Sequence, residues 1–437
     1  MRFKSTAPSS VMSKSKLQLP IPSEQSDGKV GTRGNSPQSL LTFQDVQNVA
    51  KRSLGREVDV KKFALRPYSS GTLGFLGTHL RLTVEVESKS GGTETLSFFV
   101  KGVPYDVPVQ AEYVIDRCVF LKEKIFYRDI VPEFYKVYNK EPWSPTCYLV
   151  KDHLLIFEDL GAKGYTVSNK VFTKERVVAG LTTLARLHAS SLLTEARLGV
   201  SLKKLYPHGF VENSFSQTGK CRQWFSVGID AIVGVAEHIG LDASLLPNIC
   251  EEVFSGIETS ATKRNVVSHG DLWGNNLMYS NDVPPKCLLV DFQLVRYCPL
   301  AHDVAQFLYL SADRSFRLAC EESMLKHYYS VLCDTLKTAK ISVDIPAWSE
   351  VVEGMEEQRL CAAITAATFF QTVLLDEQVG AEITNDSDTY SIHQFVSRTE
   401  MIINTMKSTP EYNRRLTEIV TELVELSFRF DELPKPS

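Results

Sequence analysis

The sequence lacks a basic cluster, a paired-cysteine motif and a long uninterrupted apolar run. Its 437 residues include 48 Lys and Arg against 52 Asp and Glu, which gives a formal net charge of -4 at pH 7. Proteins that bind nucleic acids need clustered cations to contact phosphates, so this composition argues against that class. We therefore expect no nucleic-acid partner, and the sequence gives no evidence of a protein partner.

Nine cysteines occur singly, without a C-x-x-C pair or a Cys/His spacing typical of metal sites. This usage indicates a reducing compartment, and we expect a cytoplasmic protein. The longest apolar stretch, Leu360–Leu375, includes three threonines and a glutamine and lies between Arg359 and Asp376. Because it is too short and too polar for a membrane span, a buried helix is predicted.

The first 39 residues are rich in Ser, Lys, Pro and Gly, and no acidic residue precedes Glu24. They lack the apolar core of a secretory signal. Their character also suits a mitochondrial transit peptide, but Pro8, Pro20 and Pro22 would interrupt a long amphipathic helix. We expect residues 1–39 to be disordered. The rest exceeds what one compact core usually organises, so we predict two lobes, 40–160 and 161–437.

The N-terminal part has strand-like patterns. Thr42 is placed to cap a helix, and Leu80–Val86 alternates apolar and polar residues before a Ser-Gly-Gly turn and a second apolar segment, Leu96–Val103. This order predicts a β-hairpin. Helical spacing returns over Tyr113–Ile130, and Pro132 is expected to end that helix.

Two further strands are predicted at Thr146–Val150 and Leu154–Glu158. From Lys174 onward, long helical patterns dominate to the end of the chain. The β-rich part therefore precedes a helical part, with a boundary expected between Leu160 and Val171.

The segments Val267–Met278 and Leu288–Gln293 contain the residues best suited to phosphoryl transfer. That reaction needs a group that orients the attacking hydroxyl and a divalent metal that neutralises phosphate oxygens. Asp271 is predicted to accept the hydroxyl proton. Asn276, five residues later, and Asp291, at the end of an apolar strand, offer the oxygen ligands that Mg²⁺ prefers.

The order H-x-D-x-x-x-x-N followed by D-F matches the kinase catalytic signature, with Gly270 where protein kinases have Arg. Each fragment alone has a structural explanation, since an isolated His-Gly-Asp can be a capped turn. Their joint occurrence at this spacing favours a catalytic site.

The motifs His269–Asn276, Asp291–Gln293 and Pro299–Leu308 closely resemble those of the ecdysteroid kinase-like, or CHK-type, family, a relative of choline kinases and aminoglycoside phosphotransferases. The resemblance extends from Ser69 to about Met406. It implies an α+β, bilobal protein-kinase-like fold with a β-rich N-lobe and a larger, mainly helical C-lobe. It also implies ATP, Mg²⁺ and a small-molecule alcohol as partners.

Within this resemblance, Lys101 corresponds to the strand lysine that holds the α- and β-phosphates, while a solvated strand lysine remains the alternative. Glu123 resembles the helix glutamate that pairs with this lysine, while Glu112 and Asp116 remain alternatives. As a structural alternative, all three acids are solvated helix residues.

The glycines Gly71, Gly74 and Gly77 would let backbone amides approach phosphate closely. Their G-x-x-G-x-x-G spacing differs from the G-x-G-x-x-G of protein kinases, so an ordinary loop remains the alternative.

The stretch from Glu158 through Asp159 to Leu160 resembles the connection between lobes whose backbone meets the adenine edge. Alternatively, Asp159 caps the following turn. Asp303 and His269 are expected to support the catalytic loop, and His188 is expected to be a packed helix residue.

A protein substrate is disfavoured, because no A-P-E motif follows Asp291 and a helix is predicted to begin at Pro299 soon after it. The segments Phe316–Tyr329 and Trp348–Gln378 are expected to form an acceptor pocket. We predict a kinase acting on an alcohol hydroxyl, with an ecdysteroid or other steroid-like acceptor. A choline- or aminoglycoside-type kinase and a catalytically silent, ligand-binding pseudokinase remain alternatives.

Overall fold

The computed structural model describes residues 40–69, 76–87, 91–167 and 171–437. The expectation of disorder for residues 1–39 and the predicted phosphate contacts of Gly71 and Gly74 lie outside these ranges. No single described helix has both the length and the apolar composition of a membrane span. Two consecutive helices, Trp348–Val373 and Glu377–Thr384, reach that length and composition only when taken together, and the chain bends sharply between them.

The N-terminal part is a helix packed on an antiparallel sheet. Helix α1 (Phe43–Leu54) begins at Thr42, whose hydroxyl accepts the Asp45 N–H while the Asp45 carboxylate accepts the Thr42 N–H, as in a capping box. The sheet has the order β1-β2-β3-β5-β4. Its strands are β1 Val60–Pro67, β2 Thr78–Glu87, β3 Thr93–Gly102, β4 Cys147–Val150 and β5 Leu154–Glu158.

The alternation of apolar and polar residues along the strands decides which face of this sheet is buried. Leu82, Val84 and Val86 of β2 are fully buried in a small core that also contains Val46 and Val49 of α1. Strands β2 and β3 pair in register as the predicted hairpin. The opposite face of β3, which carries Phe99 and Lys101, lies toward the rest of the molecule.

The segment predicted as one helix over Tyr113–Ile130 is broken. Cys118 has φ 55°, a left-handed conformation that a continuous helix does not allow. Its pieces are α2 Pro108–Asp116, α3 Val119–Ile125, a π-helical turn at Phe126–Ile130 and α4 Val131–Val137. The predicted stop at Pro132 is wrong, because proline fits the first turn of α4, where its missing N–H needs no partner.

The remainder is mainly helical, with two small sheets. Strand β7 pairs with β10, and β8 lies between β6 and β9. The strands are β6 Thr166–Val167, β7 Asn265–Ser268, β8 Leu277–Tyr279, β9 Cys287–Leu289 and β10 Arg296–Pro299. The helices are α5 Lys174–Leu198, α6 Leu202–Leu205, α7 Gly219–His238, α8 Leu246–Cys250, α9 Val253–Gly256, α10 Leu300–Ser311, α11 Arg314–Lys337, α12 Trp348–Val373, α13 Glu377–Thr384, α14 Ser387–Phe395, α15 Thr399–Ser408 and α16 Pro410–Phe428.

A second, larger core joins α5, α10 and α12 with α7 and α16. The predicted buried helix at Leu360–Leu375 falls mostly within α12, and its central residues are buried in this core. The predicted α+β architecture, with a β-rich N-terminal part and a helical remainder, is confirmed. The exact boundary between lobes stays a prediction. All nine cysteines are free thiols.

Candidate active site

The loop His269–Asn276, between β7 and β8, is anchored by α10. Asp303 of α10 accepts the backbone N–H groups of His269, at 2.6 Å, and of Gly270, at 3.0 Å. Its carboxylate is fully buried, which opposes ionisation, but the hydrogen bond with His188, at 3.2 Å, outweighs burial and lowers the pKa of Asp303 to about 2. Asp303 is therefore an ionised support for the loop at neutral pH.

Gly270 is required by the shape of this loop. Its φ is +77°, and a Cβ there would clash with the carbonyl oxygen of Leu294 and approach Arg296. The Gly270 carbonyl accepts from Arg296 Nη1 at 3.1 Å and from Gln306 Nε2 at 3.2 Å. This close packing explains why position 270 requires glycine.

The His269 ring organises the loop from within. Its Nδ1 accepts the Asp271 N–H at 3.2 Å, and its Nε2 lies 2.9 Å from the Val290 carbonyl, so Nε2 carries the proton. Burial lowers the pKa of His269. The neutral ring packs against Phe292 with 4.5 Å between centroids. Both nitrogens are therefore engaged within the protein.

Asp271 and Asn276 face one another at the end of the loop. The Asn276 amide nitrogen donates to the Asp271 carboxylate and to the Asp271 carbonyl, both at 2.9 Å. The amide nitrogen of Asn276 is thus used within the loop, while its amide oxygen remains available as an acceptor. Burial and the nearby charge of Asp291 raise the pKa of Asp271 to about 7, against the hydrogen bond from Asn276.

Lys101 of β3 joins the two halves of the chain. Its Nζ lies 2.7 Å from Glu123 Oε2 on α3, 2.6 Å from Asp291 Oδ1 and 3.1 Å from Gln293 Oε1. Burial by itself would lower the pKa of Lys101, but the carboxylates of Asp291 and Glu123 outweigh it and raise this pKa. The ammonium is therefore charged although its side chain is buried.

Of the three acids considered as partners of Lys101, only Glu123 reaches it. Glu112 instead pairs with Lys220 at 2.9 Å near the surface. Glu123 is almost completely buried, so its carboxylate needs the lysine as a counter-charge.

Asp291 adopts a backbone conformation that is rare for a residue with a side chain. Its φ is +69° and its ψ is +66°, in the left-handed region that Asp and Asn tolerate best. The next residue, Phe292, stacks on Phe126 at 4.3 Å, which fixes the turn against the helical segment after α3. The Asp291 carboxylate is thus held toward Lys101 and the cavities described next.

A cavity of about 360 Å³ lies between the N-terminal sheet and the loop. Glu158 and Leu160 line it, as do Lys101, Glu123 and Asp291. Its volume falls within the usual range for small-molecule sites, roughly 300–1,000 Å³.

The side chain of Asp159 does not line this cavity. Its carboxylate accepts from Tyr68 Oη at 2.6 Å, Ser97 Oγ at 2.5 Å and the Ala162 N–H at 3.1 Å. It therefore caps the turn after β5, which was the structural alternative, and only its backbone remains for the predicted adenine contact. Gly77 lies beside the Lys101 side chain, where a Cβ would make ordinary contact at 3.5 Å.

Six aromatic residues of the cavity wall were missed from the sequence: Tyr68, His79, Phe99, Tyr127, Phe157 and Tyr165. Phe99 precedes Lys101 by two residues on β3, and His79 is the cross-strand partner of Lys101. Strand periodicity around Lys101 was the signal that would have found both. Burial and the Lys101 charge lower the pKa of His79 to about 4, so its ring is neutral.

A second cavity, of about 100 Å³, adjoins Asp271. Much of its wall comes from segments distant in sequence, with Tyr113, Arg117, Ser214, Trp224, Thr368, Phe369, Thr372, Val373, Tyr390 and Gln394. The prediction that Phe316–Tyr329 forms an acceptor pocket is not supported, because that segment belongs to α11, which packs on α5. The predicted contribution of Trp348–Gln378 is limited to the C-terminal end of α12.

In the part of the chain that the structure describes, no three His, Cys, Asp or Glu side chains are grouped as a metal site. The donors that suit a hard cation are the Asp291 carboxylate and the Asn276 amide oxygen. Mg²⁺ is commonly held by one or two carboxylates together with substrate phosphates, so this sparse donor set fits Mg²⁺.

The model of the ecdysteroid kinase-like family matches residues 73–341, more than half of the chain. The match includes the catalytic loop and ends before Met406, to which the resemblance was expected to extend. No curated protein sequence matches the chain.

Three solved structures illustrate the chain's structural similarities. An ethanolamine kinase of Plasmodium vivax is 12% identical, with 88% of this chain and 86% of that chain covered and a TM-score of 0.42. A microcompartment-associated aminopropanol kinase is 12% identical, with coverage of 88% and 97% and a TM-score of 0.39. The choline kinase LicA from Streptococcus pneumoniae is 13% identical, with coverage of 80% and 98% and a TM-score of 0.32.

Proposed function

The chain belongs to the ecdysteroid kinase-like family, and from this membership we propose that it transfers the γ-phosphoryl group of ATP to an alcohol hydroxyl of a small molecule. One observation carries the proposal. Asn276 and Asp291 line both the larger cavity, which contains Lys101, and the smaller cavity, which contains Asp271. A phosphoryl group at this shared boundary would have its donor on one side and its acceptor on the other.

Each residue of the site has a role in this proposal. Lys101, positioned by Glu123, binds phosphate oxygens of ATP, and the backbone of Glu158–Leu160 meets the adenine edge. Asp291 and Asn276 would hold Mg²⁺, which when bound neutralises charge on the phosphate oxygens. Asp271 orients the acceptor hydroxyl and accepts its proton.

For the acceptor, we propose an alcohol of the ecdysteroid or steroid-like class as the first to be tested. Apolar ring surfaces of Phe369 and Tyr390 support this choice. The cavity of about 100 Å³ is smaller than the usual ligand site. A steroid-sized acceptor would therefore insert only its hydroxyl-bearing end, or the cavity would have to widen.

The test is an ATP-consumption screen with mass analysis of the products. Purified protein is incubated with Mg·ATP and an ecdysteroid, another sterol alcohol, choline or an aminoglycoside. A phosphorylated alcohol is the expected product. A ligand-binding pseudokinase would bind Mg·ATP without forming one; the presence of Lys101, Asp271, Asn276 and Asp291 favours the enzyme.

A further inference from the structure

A buried arginine, Arg117, lies in the wall of the cavity beside Asp271. It follows α2 directly, and its guanidinium donates through Nε to the Asn213 carbonyl, through Nη1 to Tyr113 Oη at 3.2 Å and through Nη2 to Ser214 Oγ at 2.8 Å. A guanidinium carries five N–H groups. These three bonds therefore leave two N–H groups for a ligand.

No described carboxylate forms an ion pair with Arg117. Glu212 interacts electrostatically with Arg117, but the Glu212 carboxylate is bound elsewhere. It pairs with Arg296 at 2.7 Å and accepts two backbone N–H groups. The carboxylates that do line the cavity, Asp271 and Asp291, are assigned to proton acceptance and metal binding in the proposed reaction. The cavity therefore contains the charge of Arg117, and no remaining described carboxylate is free to pair with a cationic acceptor.

The aromatic surface near Arg117 is also occupied by cations of the protein itself. The guanidinium of Arg117 lies 4.9 Å from the Tyr113 ring centre and 5.9 Å from that of Trp224. A second buried guanidinium, that of Arg398, lies 5.6 Å from the Trp224 ring centre. Pockets that bind ammonium groups leave such ring faces open to the ligand, whereas here arginines contact them.

We propose that Arg117 determines acceptor specificity by binding an oxygen of the acceptor and excluding acceptors that carry a positive charge. The inference rests on the proposed phosphotransferase function and narrows its substrate to an uncharged or anionic alcohol with a second, hydrogen-bond-accepting oxygen. A carbonyl, carboxylate or hydroxyl oxygen satisfies the remaining N–H groups. An acceptor's ammonium group would lose its hydrating water on entering the cavity and would lie near the positive charge of Arg117. None of the described carboxylates would be free to compensate for the lost hydration.

The test compares acceptors that differ in charge but little in size. 2-Aminoethanol, ethane-1,2-diol and hydroxyacetate are the set matched in size; choline and 20-hydroxyecdysone are added as a cationic and an uncharged acceptor of unequal size. We expect kcat/KM for uncharged or anionic acceptors to exceed that for cationic ones at least tenfold. In Arg117→Gln this preference falls at least tenfold, mainly through KM, while the affinity for Mg·ADP is unchanged.

Two further variants separate specificity from folding. Arg117→Lys keeps the charge but loses the planar fork, so it should still exclude cations while binding the acceptor more weakly. Arg317→Gln is the matched control, since Arg317 is likewise buried beside an aromatic ring, that of Tyr309, yet does not line the cavity; acceptor preference should not change. A thermal shift with Mg·ADP verifies that each variant is folded.

A wild-type preference for 2-aminoethanol and choline overturns the inference and leaves the phosphotransferase proposal standing. The same conclusion follows if folded Arg117→Gln and Arg117→Lys both retain the wild-type preference and KM. The absence of product from every acceptor contradicts the phosphotransferase proposal itself.

Discussion

Two buried carboxylates of the site, Asp271 and Asp303, have pKa values shifted in opposite directions. Burial opposes the charge of Asp303, but its hydrogen bond with His188 lowers its pKa to about 2, and it also accepts two backbone N–H groups. Asp271 has one amide donor and faces the charge of Asp291, so burial dominates and its pKa rises to about 7. The number of donors thus distinguishes a fixed anchor from a carboxylate left open to the cavity.

Asp271→Asn should abolish turnover and leave ATP binding nearly intact. Asparagine keeps the side-chain shape and still offers an oxygen to the Asn276 amide, but it cannot accept the hydroxyl proton. Loss of a general base typically slows a reaction about 10²–10⁴-fold. Single-turnover transfer and ATP titration measure the two effects separately, and near-normal kcat in the folded variant would exclude this role.

Asp291→Asn should weaken the Mg²⁺ dependence of nucleotide affinity and lower turnover, because it removes a ligand charge. Asparagine tolerates the left-handed backbone at this position, whereas Asp291→Ala adds a backbone cost of about 1–2 kcal/mol to the loss of the carboxylate. Comparing the two variants separates ligand loss from strain. Titration of ATP with and without Mg²⁺ is the measurement; unchanged affinity and metal dependence in Asp291→Asn would contradict the ligand assignment.

Lys101→Met should weaken ATP binding both with and without Mg²⁺. The substitution removes the cation that is proposed to hold the phosphates and leaves Glu123 buried without its partner. The same titration, with a thermal unfolding curve as the folding control, tests this; wild-type ATP affinity in the folded variant would refute the phosphate contact.

At the scale of elements, the catalytic loop depends on Gly270, and Gly240 serves as a control because it also has a positive φ. Gly270 and Gly240 have nearly equal φ, 77° and 78°, but only at Gly270 would a Cβ meet other atoms. Gly240→Ala should therefore lose about 1–2 kcal/mol of stability from the left-handed backbone alone. Gly270→Ala should lose more, together with turnover. Equal free energies of unfolding from denaturant titration would show that the packing of this loop is not tight.

Elements with strong local patterns could be predicted, and those governed by packing could not. The β2–β3 hairpin followed from strict alternation over Leu80–Val86. Strand β1 was missed because the burial of Val60–Pro67 does not alternate cleanly. The break at Cys118 was also missed, since cysteine is not a residue type that signals a left-handed conformation.

At the scale of the whole molecule, the two cavities differ in how far the sequence could reveal them. Lys101, Asp271 and Asp291 belong to short motifs with defined spacing, so their convergence was expected. Arg117 and Trp224 belong to no motif and meet only because helices distant in sequence pack together. Helical periodicity places such residues on a buried face but does not separate core from cavity wall.

Nucleotide binding should stabilise the whole molecule because the larger cavity is lined from both the sheet and the helical part. At a concentration of one hundred times Kd, Mg·ADP should add about 2.7 kcal/mol to the free energy of unfolding. Asp271→Asn should show the same gain, and Lys101→Met should show less at an equal concentration. Thermal unfolding with and without Mg·ADP measures it, and a wild-type protein with no shift would contradict a nucleotide site.

The central claim is phosphoryl transfer from ATP to a small alcohol, with Asp271 as the proton acceptor. Mass analysis of the products formed from Mg·ATP and the acceptor panel, by wild type and by Asp271→Asn side by side, tests it most directly. We expect wild type to yield a phosphorylated alcohol and Asp271→Asn, still binding Mg·ATP, to yield essentially none. Equal product from both proteins would contradict the role of Asp271, and no phosphorylated acceptor from the folded wild type would contradict the kinase assignment.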